Sequence, residues 1–565
     1  MVKYLLLTLA PLLLLAFSSP IVMSMRDGTK RSVVLKENIV GGANTLTQGM
    51  LDKYGANTKF IIKYDYTLGE DIIVPDNSVI QFKGGSLRDG TVDFNYGRVI
   101  SKRKSLFNVR FSHLPEIDIN LFEIPQDATE LLQDIVNSSN NIDLANKTFN
   151  IHKVVHVEGK GGEFNIKNGT INALNNFEQY EGERLAAKGM LLHLYDVQKG
   201  TVENLTLNGK RYAQRGLYLD KCNDIVIDHC DVYDFDGTDK ASSWGIRCEN
   251  STNVKLINSY IRNIYALPVG NVGFALGSAT GVMFEHTYNS CIQYNTIENV
   301  QSTKDGDALH IISIPKADGK PAPSRGDLYK DVNVLVSQNV IRANDKSKRC
   351  IKIQAFGVTV DNNIIQKLYV NRTNAVSIYG SNVTVTNNHI ECEDFYTFSL
   401  GTSSLSQIHD VVIRNNTIDC ITEREWCSCI YMIGSNLKDV LIESNTVNIS
   451  NQMNAFCDLR ESLDSVVLRN NIVKGGSYLF RVAINRENSK VENLQLVGNH
   501  HGGGYGLLDI EKVIGVITTF QDIVVEDNVF TGSDNTNKTF KIANIPEIKR
   551  NIHVGNNRSN KSMEL

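Results

Sequence analysis

Six short segments in the middle of the chain carry polar and charged residues at alternate positions. They are 216–220, 245–249, 281–285, 308–312, 350–354 and 375–379. Alternation with a period of two predicts strands that bury one face. We expect these strands to stack side by side, about 4.8 Å apart, so that equivalent residues form columns on the outer face.

The stacked strands predict three outward columns. The first holds only small residues, namely Gly216, Gly245, Gly281, Ala308, Cys350 and Ala375. The second column reads Tyr218, Arg247, Met283, His310, Lys352 and Ser377, and its basic members form a cationic stripe. The third opens with three carboxylates and reads Asp220, Glu249, Glu285, Ile312, Gln354 and Tyr379. A small-residue floor beside cations and carboxylates indicates a groove for a polysaccharide.

Three successive carboxylates on neighbouring strands repel one another when they are ionised. Either one of them holds a proton or they share a cation. Calcium binds carboxylate oxygens, so Asp220, Glu249 and Glu285 are the candidate ligands of a Ca2+ ion. Long irregular segments at 233–239, 261–280, 301–307 and 315–331 flank the same strands and predict the walls of a cleft.

Two reactions fit these residues. In a lyase, a cation neutralises the substrate carboxylate while Lys352 or Arg247 removes the adjacent proton. In a hydrolase, two carboxylates act as acid and base across the bond, and a resemblance to a known family, rather than the residue pattern, makes Asp305, Asp307 and His310 the candidates. The candidate substrate-binding side chains are Tyr218, Gln354, Tyr431 and Arg481. Glycan binding without catalysis is the alternative function.

A repeated phrase predicts the scaffold that positions these strands. It consists of two alternating apolar residues, two spacers, an asparagine, one spacer and another apolar residue. Its asparagines are Asn339, Asn363, Asn388, Asn416, Asn445, Asn471, Asn499, Asn528 and Asn557. A period of about 27 residues is typical of stacked repeats.

The phrase describes a strand, a tight bend and a second strand. Asparagine tolerates the left-handed backbone that such a bend requires. A single coil cannot bury its inner face, whereas stacked coils can. Stacking also predicts a ladder of asparagine amides along the bend. Cys230, Ser259 and Asn295 occupy the asparagine position in earlier copies.

These coils resemble the right-handed parallel β-helix of the pectate-lyase-like superfamily, over about residues 113–558. The resemblance implies an all-β solenoid, and lyases of this fold use calcium and a basic side chain. Asp305-Gly-Asp307 resembles the acidic segment of β-helix polygalacturonases. However, no Gly-His-Gly follows, and the segment 349–352 only loosely matches their Arg-Ile-Lys. Phage tailspikes and surface adhesins share the same coil as glycan-binding rods.

The chain divides into three predicted parts. Residues 1–18 have the pattern of an export signal, with Lys3 before an apolar run. Residues 19–112 predict a small N-terminal β domain or cap, and residues 113–565 the β-helix. A helix that starts near Asp127, with Glu130 in a capping box, is expected to cover the first coil.

Composition excludes some functions and leaves others open. The net charge of -4 and the isoelectric point near 6.3 argue against a nucleic-acid partner. The apolar run at the start is short for a membrane span, so we expect a secreted, periplasmic or cell-surface protein. The ten cysteines are expected to be buried thiols. The sugar, its linkage and the oligomeric state are not identified by the sequence.

Overall fold

The structure is a computed structural model that describes twelve stretches of the chain. These are residues 28–179, 189–237, 241–267, 277–313, 331–343, 346–401, 408–433, 437–484, 489–510, 517–532, 538–542 and 550–564. The proposed export signal at 1–18 lies outside the described residues. The chain divides into two compact units, Met1–Ala145 and Asn146–Leu565. The predicted boundary at 112/113 therefore differs from this division by the segment 113–145.

The first unit is built mainly from short strands in two sheets. Its strands are Arg31–Val34, Ile39–Val40, Ala43–Leu46, Thr58–Ile62, Asp65–Leu68, Ile72–Ile73, Val79–Phe82, Ser86–Asp93, Arg98–Ile100 and Leu106–Ser112. Four of them form one sheet and six the other, and only Ile39–Val40 and Ala43–Leu46 pair in an antiparallel sense among the described strands. The helices are Gln48–Asp52, the 3-10 turn Ile119–Leu121 and Thr129–Ser138.

The longest of these helices has the predicted apolar face. Its buried side chains include Leu131, Leu132, Ile135 and Val136. Asp127 accepts a hydrogen bond from the Thr129 backbone amide at 3.1 Å, which supplies a partner for the first turn. The helix packs on Leu106–Ser112, where Asp134 accepts both Nε (2.7 Å) and Nη2 (2.8 Å) of Arg110. Its expected contact with the first coil stays a prediction.

A long bent sheet carries one long strand from each of the first three coils and two or more shorter strands from the later ones. Its twenty-eight strands in the described residues are Asn141–Ile151, Glu163–Ala173, Lys199–Asn208, Ile225–Asp228, Asp231–Asp236, Lys255–Ile257, Tyr260–Ala266, Ser290–Gln293, Thr296–Ser302, Val334–Ser337, Val340–Arg342, Val358–Asp361, Ile364–Lys367, Val383–Thr386, His389–Cys392, Ile408–Arg414, Thr417–Cys420, Leu437–Glu443, Thr446–Ile449, Leu463–Arg469, Ile472–Gly475, Ser489–Val497, His500–Gly502, Ile517–Gln521, Ile523–Glu526, Val529–Thr531, Ile552–Gly555 and Arg558–Ser559.

The remaining strand of each coil belongs to a separate sheet. We call it the first sheet, because it contains the strands that precede the asparagine phrase in each repeat. Its fourteen strands within the described ranges are Val155–Glu158, Met190–Tyr195, Arg215–Asp220, Ser243–Glu249, Ala279–Glu285, Gly306–Ile312, Arg349–Gln354, Asn374–Ile378, Tyr396–Leu400, Ser428–Met432, Ala455–Leu459, Tyr478–Val482, Gly506–Ile510 and Phe540–Ile542. Each pairs in parallel with its counterpart in the next coil. The chain is therefore a parallel β-helix, and the right-handed sense of the coil stays a prediction.

The interior is filled by stacked apolar columns. One column of the first sheet consists of Leu217, Ile246, Val282, Leu309 and Ile351, all fully buried. The columns from the bent sheet meet it inside the coil. All ten cysteines lie in the described residues and are free thiols, and nine of them are buried. Burial in such columns is the expected setting for small apolar side chains.

The predicted asparagine ladder is present. The Nδ2 of Asn416 donates to the Oδ1 of Asn445 at 3.0 Å and to the Val385 carbonyl at 3.0 Å. Its own Oδ1 accepts the backbone N–H (2.9 Å) and Nδ2 (3.0 Å) of Asn388. The same pattern links Asn295, Asn339, Asn363, Asn388, Asn416, Asn445, Asn471, Asn499, Asn528 and Asn557.

The backbone of the bend differs from the expectation in one respect. The left-handed residue is the one before the ladder asparagine, such as Gln338 (φ 57°), Asn362 (φ 54°) or Asn415 (φ 55°), and not the ladder asparagine itself. The ladder residue is thereby turned so that its amide lies inside the coil. Cys230 and Ser259 take the ladder position in earlier coils, as predicted, and the Ser259 amide donates to Asn295 Oδ1 at 2.9 Å.

Candidate functional site

The predicted cationic column lies on one face of the first sheet. The register aligns Tyr218 with Arg247, then Met283, His310, Lys352 and Ser377. The structure extends this column in both directions. His156 and His193 precede it, and Ser399, Tyr431, Asp458, Arg481 and Asp509 follow. The carboxylates Asp220, Glu249 and Glu285 are likewise aligned.

The predicted small-residue floor is wrong, because that column faces the interior. A Cβ on Gly216 would lie 3.0 Å from Val232 Cγ1 and 3.1 Å from Phe235 Cε2, both core side chains. It would also lie 2.3 Å from the Gly245 carbonyl oxygen of the next strand. Gly216 and Leu217 thus both face inward, and the alternation breaks between them.

Because of this break, the residue before each small residue, such as Arg215 before Gly216, lies on the outer face. Arg215 aligns with Trp244, and the column continues through Thr280, Asp307 and Arg349. The Arg215 guanidinium lies over the Trp244 ring, 4.2 Å from its centroid. Sequence reasoning missed Arg215 and Trp244. The signal that could have found them is the run of glycines, which marks close backbone approach rather than a floor.

The first polar group on this face is the arginine–glutamate cluster of Tyr218, Arg247, Glu249 and Glu285. Arg247 Nη2 donates to Glu249 Oε2 at 2.9 Å and to Glu285 Oε2 at 2.5 Å. The Tyr218 hydroxyl donates to the same Glu249 oxygen at 2.7 Å. Burial, together with this bond to Glu249, raises the pKa of Tyr218, so the hydroxyl stays protonated.

Asp220, on the strand beside Glu249, has weaker polar contacts. Asn250 Nδ2 approaches its Oδ1 at 3.4 Å. Burial raises the pKa of Asp220 above its ordinary value; the Asn250 contact opposes this and the Glu249 charge adds to it. The two neighbouring carboxylates therefore have different environments, which is the condition for one acid and one base.

Aromatic rings line the coils before this cluster. The His193 ring stacks on Tyr218 with centroids 4.8 Å apart. The Nδ1 atoms of His193 and His156 are 3.0 Å apart. Burial lowers the pKa of His193 to about 4, and His156 adds to this effect. His193 is thus a neutral aromatic surface at pH 7.

The three carboxylates do not fit a calcium site. Arg247 lies between Glu249 and Glu285 and already neutralises them. Within the part of the chain that the structure describes, no three His, Cys, Asp or Glu side chains are arranged to hold a metal ion. A shared cation is therefore supplied here by the guanidinium group.

The second polar group is the aspartate–lysine cluster of Asp305, Asp307, Arg349 and Lys352. Arg349 Nη1 contacts Asp305 Oδ1 at 2.6 Å and Asp307 Oδ1 at 2.9 Å. Lys352 Nζ contacts Asp305 Oδ2 at 2.9 Å and Asp307 Oδ2 at 3.7 Å. Both cations are engaged by the protein's own carboxylates.

The electrostatics of this cluster follow from those contacts. Burial alone would raise the pKa of Asp305, but Arg349 and Lys352 outweigh it and hold the pKa well below its ordinary value. Burial lowers the pKa of His310 to about 4. His310 Nε2 lies 2.8 Å from Gln354 Oε1, which joins two predicted site residues. The structure thus brings Asp305, Asp307, His310, Lys352 and Gln354 together.

The other two predicted residues lie in a third group, the tyrosine–arginine cluster of Tyr396, Tyr431, Asp458, Arg460 and Arg481. The rings of Tyr396 and Tyr431 stack with centroids 4.1 Å apart. Asp458 Oδ2 accepts Nη2 of Arg460 and Nη2 of Arg481, each at 2.6 Å. This group is several coils away from Arg247.

The predicted cleft walls are described only in part. Residues 238–240, 268–276 and 314–330 lie outside the described residues. Within the segments expected to be irregular, residues 233–236, 261–266 and 301–302 belong instead to the strands Asp231–Asp236, Tyr260–Ala266 and Thr296–Ser302 of the bent sheet. The periodicity was hidden there by interspersed polar residues. No helix of the described chain is long and apolar enough to cross a membrane.

Comparisons with known proteins give distant similarity to solved structures. PfbA, a surface adhesin of Streptococcus pneumoniae, is 13% identical with a TM-score of 0.36, and the match covers 77% of this chain and 88% of that one. The tailspike protein of E. coli bacteriophage HK620, solved with a pentasaccharide, is 14% identical with a TM-score of 0.40, covering 77% and 78%. No protein-family model and no curated protein matches the chain.

Proposed function

We propose that this protein binds a polysaccharide on the outer face of the first sheet and hydrolyses it with Asp220 and Glu249. The observation that carries the proposal is the unequal environment of these two neighbouring carboxylates. Glu249 accepts hydrogen bonds from Tyr218 and Arg247, while Asp220 receives one long contact and has a raised pKa, mainly because it is buried.

The spacing supports hydrolysis with retention. Asp220 and Glu249 are register partners on adjacent strands, which are about 4.8 Å apart. Retaining glycosidases hold their two carboxyl groups roughly 5–5.5 Å apart. In the proposed reaction, protonated Asp220 donates its proton to the leaving oxygen while Glu249 attacks the anomeric carbon. Ionised Asp220 then takes a proton from water, and the water oxygen displaces Glu249.

A lyase reaction is less well supported by the contacts. Its base must accept a proton, yet Lys352 and Arg247 each contact two carboxylates of the protein. The same pairing reduces the free positive charge available to an acidic polymer. Uronate-containing and neutral polysaccharides are therefore both candidate substrates.

The proposal is tested by incubating the protein with both classes of polysaccharide. New reducing ends without the ultraviolet absorbance of unsaturated uronates are expected, with the anomeric configuration retained. Asp220→Asn and Glu249→Gln should each lower the rate about 10²–10⁴-fold, the scale of a lost acid–base group. Glu203→Gln is the matched control, because Glu203 also has a carboxylate register partner, Asp228, but lies on the bent sheet.

Other outcomes would contradict the proposal in distinguishable ways. Unsaturated products that disappear in Lys352→Ala would select the lyase. Full activity of both Asp220→Asn and Glu249→Gln would remove these residues from catalysis. Binding to a polysaccharide without any cleavage would select a non-catalytic glycan-binding protein.

A further inference from the structure

The tyrosine–arginine cluster has an aromatic surface that no part of the proposed reaction uses. Tyr396 and Tyr431 stack almost in parallel, with an angle of 12° between their rings. Both rings are partly exposed on the outer face. Trp426 lies just before Ser428–Met432, the strand that carries Tyr431, and is 52% exposed. Flat aromatic faces of this kind contact the C–H faces of pyranose rings.

A buried charged group lies beside these rings. Asp458 is the register partner of Tyr431 and of Arg481 in the column of outward residues, yet it is fully buried. Its Oδ2 accepts two guanidinium N–H groups, one each from Arg460 and Arg481, at 2.6 Å. Arg460 is the more exposed of the two arginines and also lies 5.9 Å from the Tyr431 ring centroid.

Several buried polar atoms in this cluster have no hydrogen-bond partner among the described residues. They include Asp458 Oδ1, Arg481 Nε, Ser428 Oγ and Asn454 Nδ2. The register places Ser428 beside Ala455, the residue after Asn454, so these atoms belong to neighbouring strands. Leaving a buried donor or acceptor unpaired costs about 1–3 kcal/mol. These atoms are themselves enclosed by the protein, so Asp458 and Arg481 position the exposed groups above them and do not contact a ligand directly.

A carbohydrate has the matching chemistry. Its hydroxyl groups accept hydrogen bonds, so it can pair with the guanidinium group of the partly exposed Arg460 beside the Tyr431 ring. Its C–H faces suit Tyr431 and Trp426. The phenols remain neutral, since burial raises the pKa of both Tyr396 and Tyr431.

We propose that Tyr396, Trp426, Tyr431 and Arg460 form a second, non-catalytic carbohydrate-binding site on the first sheet, with Asp458 holding Arg460 in position. It is separate from the Asp220–Glu249 pair. Seven steps of strand pairing lie between the strands of Glu249 and Asp458, which corresponds to roughly 34 Å. Only a polymer of several sugars could contact both places. This proposal rests on its own contacts and does not depend on the proposed hydrolysis.

The two tryptophans of the chain allow each place to be observed alone. The sequence contains only Trp244, at the arginine–glutamate cluster, and Trp426. The Trp244→Phe variant therefore reports fluorescence from Trp426, and Trp426→Phe reports from Trp244. Both variants are titrated with soluble neutral and uronate-containing polysaccharides. A saturable change in Trp426 emission with at least one of these polymers is the expected result.

The contribution of the stacked rings is tested in the Trp244→Phe background. Tyr431→Ala should weaken the binding seen by Trp426 about tenfold or more, whereas Tyr431→Phe keeps the stack and should bind like its parent. Tyr294→Ala is the control, because Tyr294 is an exposed tyrosine on the bent sheet. Circular dichroism verifies that each variant is folded.

Two results would overturn the second site. One is Trp426 emission that does not respond to any polymer of the panel. The other is an equal response in Tyr431→Ala and Tyr294→Ala. Failure of the hydrolysis proposal looks different, because Trp426 would still respond while no reducing ends form. A response confined to Trp244 would support binding at the arginine–glutamate cluster and reject the site at the tyrosine–arginine cluster.

Discussion

Cationic side chains on the first sheet are neutralised within the protein. Arg247, Arg349 and Lys352 each contact two carboxylates, so the stripe that the sequence predicted as free positive charge is balanced. Apart from Arg247–Glu249, which lies on one strand, these pairs form between residues far apart in sequence. Side-chain reach across a register decides them, and a single sequence does not contain that information. By contrast, the alternation of period two was enough to predict which residues share the column of Arg247 and Lys352.

The column missed by sequence reasoning has a backbone explanation. A Cβ on Gly245 would lie 2.8 Å from the Gly281 carbonyl oxygen, and one on Gly281 would lie 2.5 Å from that of Ala308. Small residues are required there because the strands approach each other closely, not because a ligand does. An inward glycine followed by an inward apolar residue shifts every preceding residue to the other face. This shift is why Trp244 was overlooked.

Buried histidines predict a stability that decreases in mild acid. Burial lowers the pKa of His193 to about 4, where it faces His156, Tyr195 and Tyr218. Between the ordinary pKa near 6.5 and this value, the unfolded chain binds the proton and the folded chain does not. The free energy of unfolding should therefore fall by about 1–3 kcal/mol per such histidine as the pH drops from 7 to 4.

This expectation is checked by denaturant unfolding at a series of pH values. His193→Gln and His310→Gln should each flatten the decrease, since His310 has the same low pKa. His553→Gln, whose ring is largely exposed, serves as the control and should leave the decrease unchanged. An equally steep decrease in all three variants would contradict the assignment.

At the scale of elements, the asparagine ladder should contribute measurably to stability. Asn416→Leu removes the bonds that the Asn416 amide donates and leaves the backbone N–H and Nδ2 of Asn388 without their acceptor. We expect a loss of roughly 1–3 kcal/mol in the free energy of unfolding. Denaturant midpoints measured by circular dichroism test the prediction.

The matched control makes the same substitution outside the ladder. Asn448 is exposed and its Nδ2 donates to Asp419 Oδ1 at 2.6 Å. Asn448→Leu should change the midpoint little, because exposed groups exchange their bonds with water. Equal losses in the two variants would mean that the internal ladder is not what stabilises the bend.

Strands and bends were predictable because the repeat is local. The ladder position follows from one phrase of eight residues, and Ser259 takes that position in an earlier coil. The left-handed backbone occurs one residue before the predicted position. In several coils both the ladder residue and the residue before it are asparagines, and either could adopt this conformation. Tyr294 and Gln338 show that non-asparagine residues adopt it when the ladder requires it.

For the whole molecule, the division at Ala145 predicts two unfolding events. Asp134→Ala removes the acceptor of two Arg110 bonds and of the Phe111 amide, all in the first unit. This variant should lower the transition of the first unit, while Asn416→Leu should lower that of the second. Scanning calorimetry separates the two. A single transition that shifts equally in both variants would show that the chain unfolds as one cooperative body.

One feature of the ladder gives the molecule an electrical direction. In a β-sheet the peptide dipoles alternate along each strand and largely cancel. The ladder amides do not alternate, because in nine of the ten an Nδ2–H donates to the asparagine of the next coil, whose Oδ1 points back to the previous one. Their moments add along the stack and polarise one another. The positive end of this row faces the carboxyl-terminal coils, so the interior of the solenoid has a polarity that its backbone alone would not have.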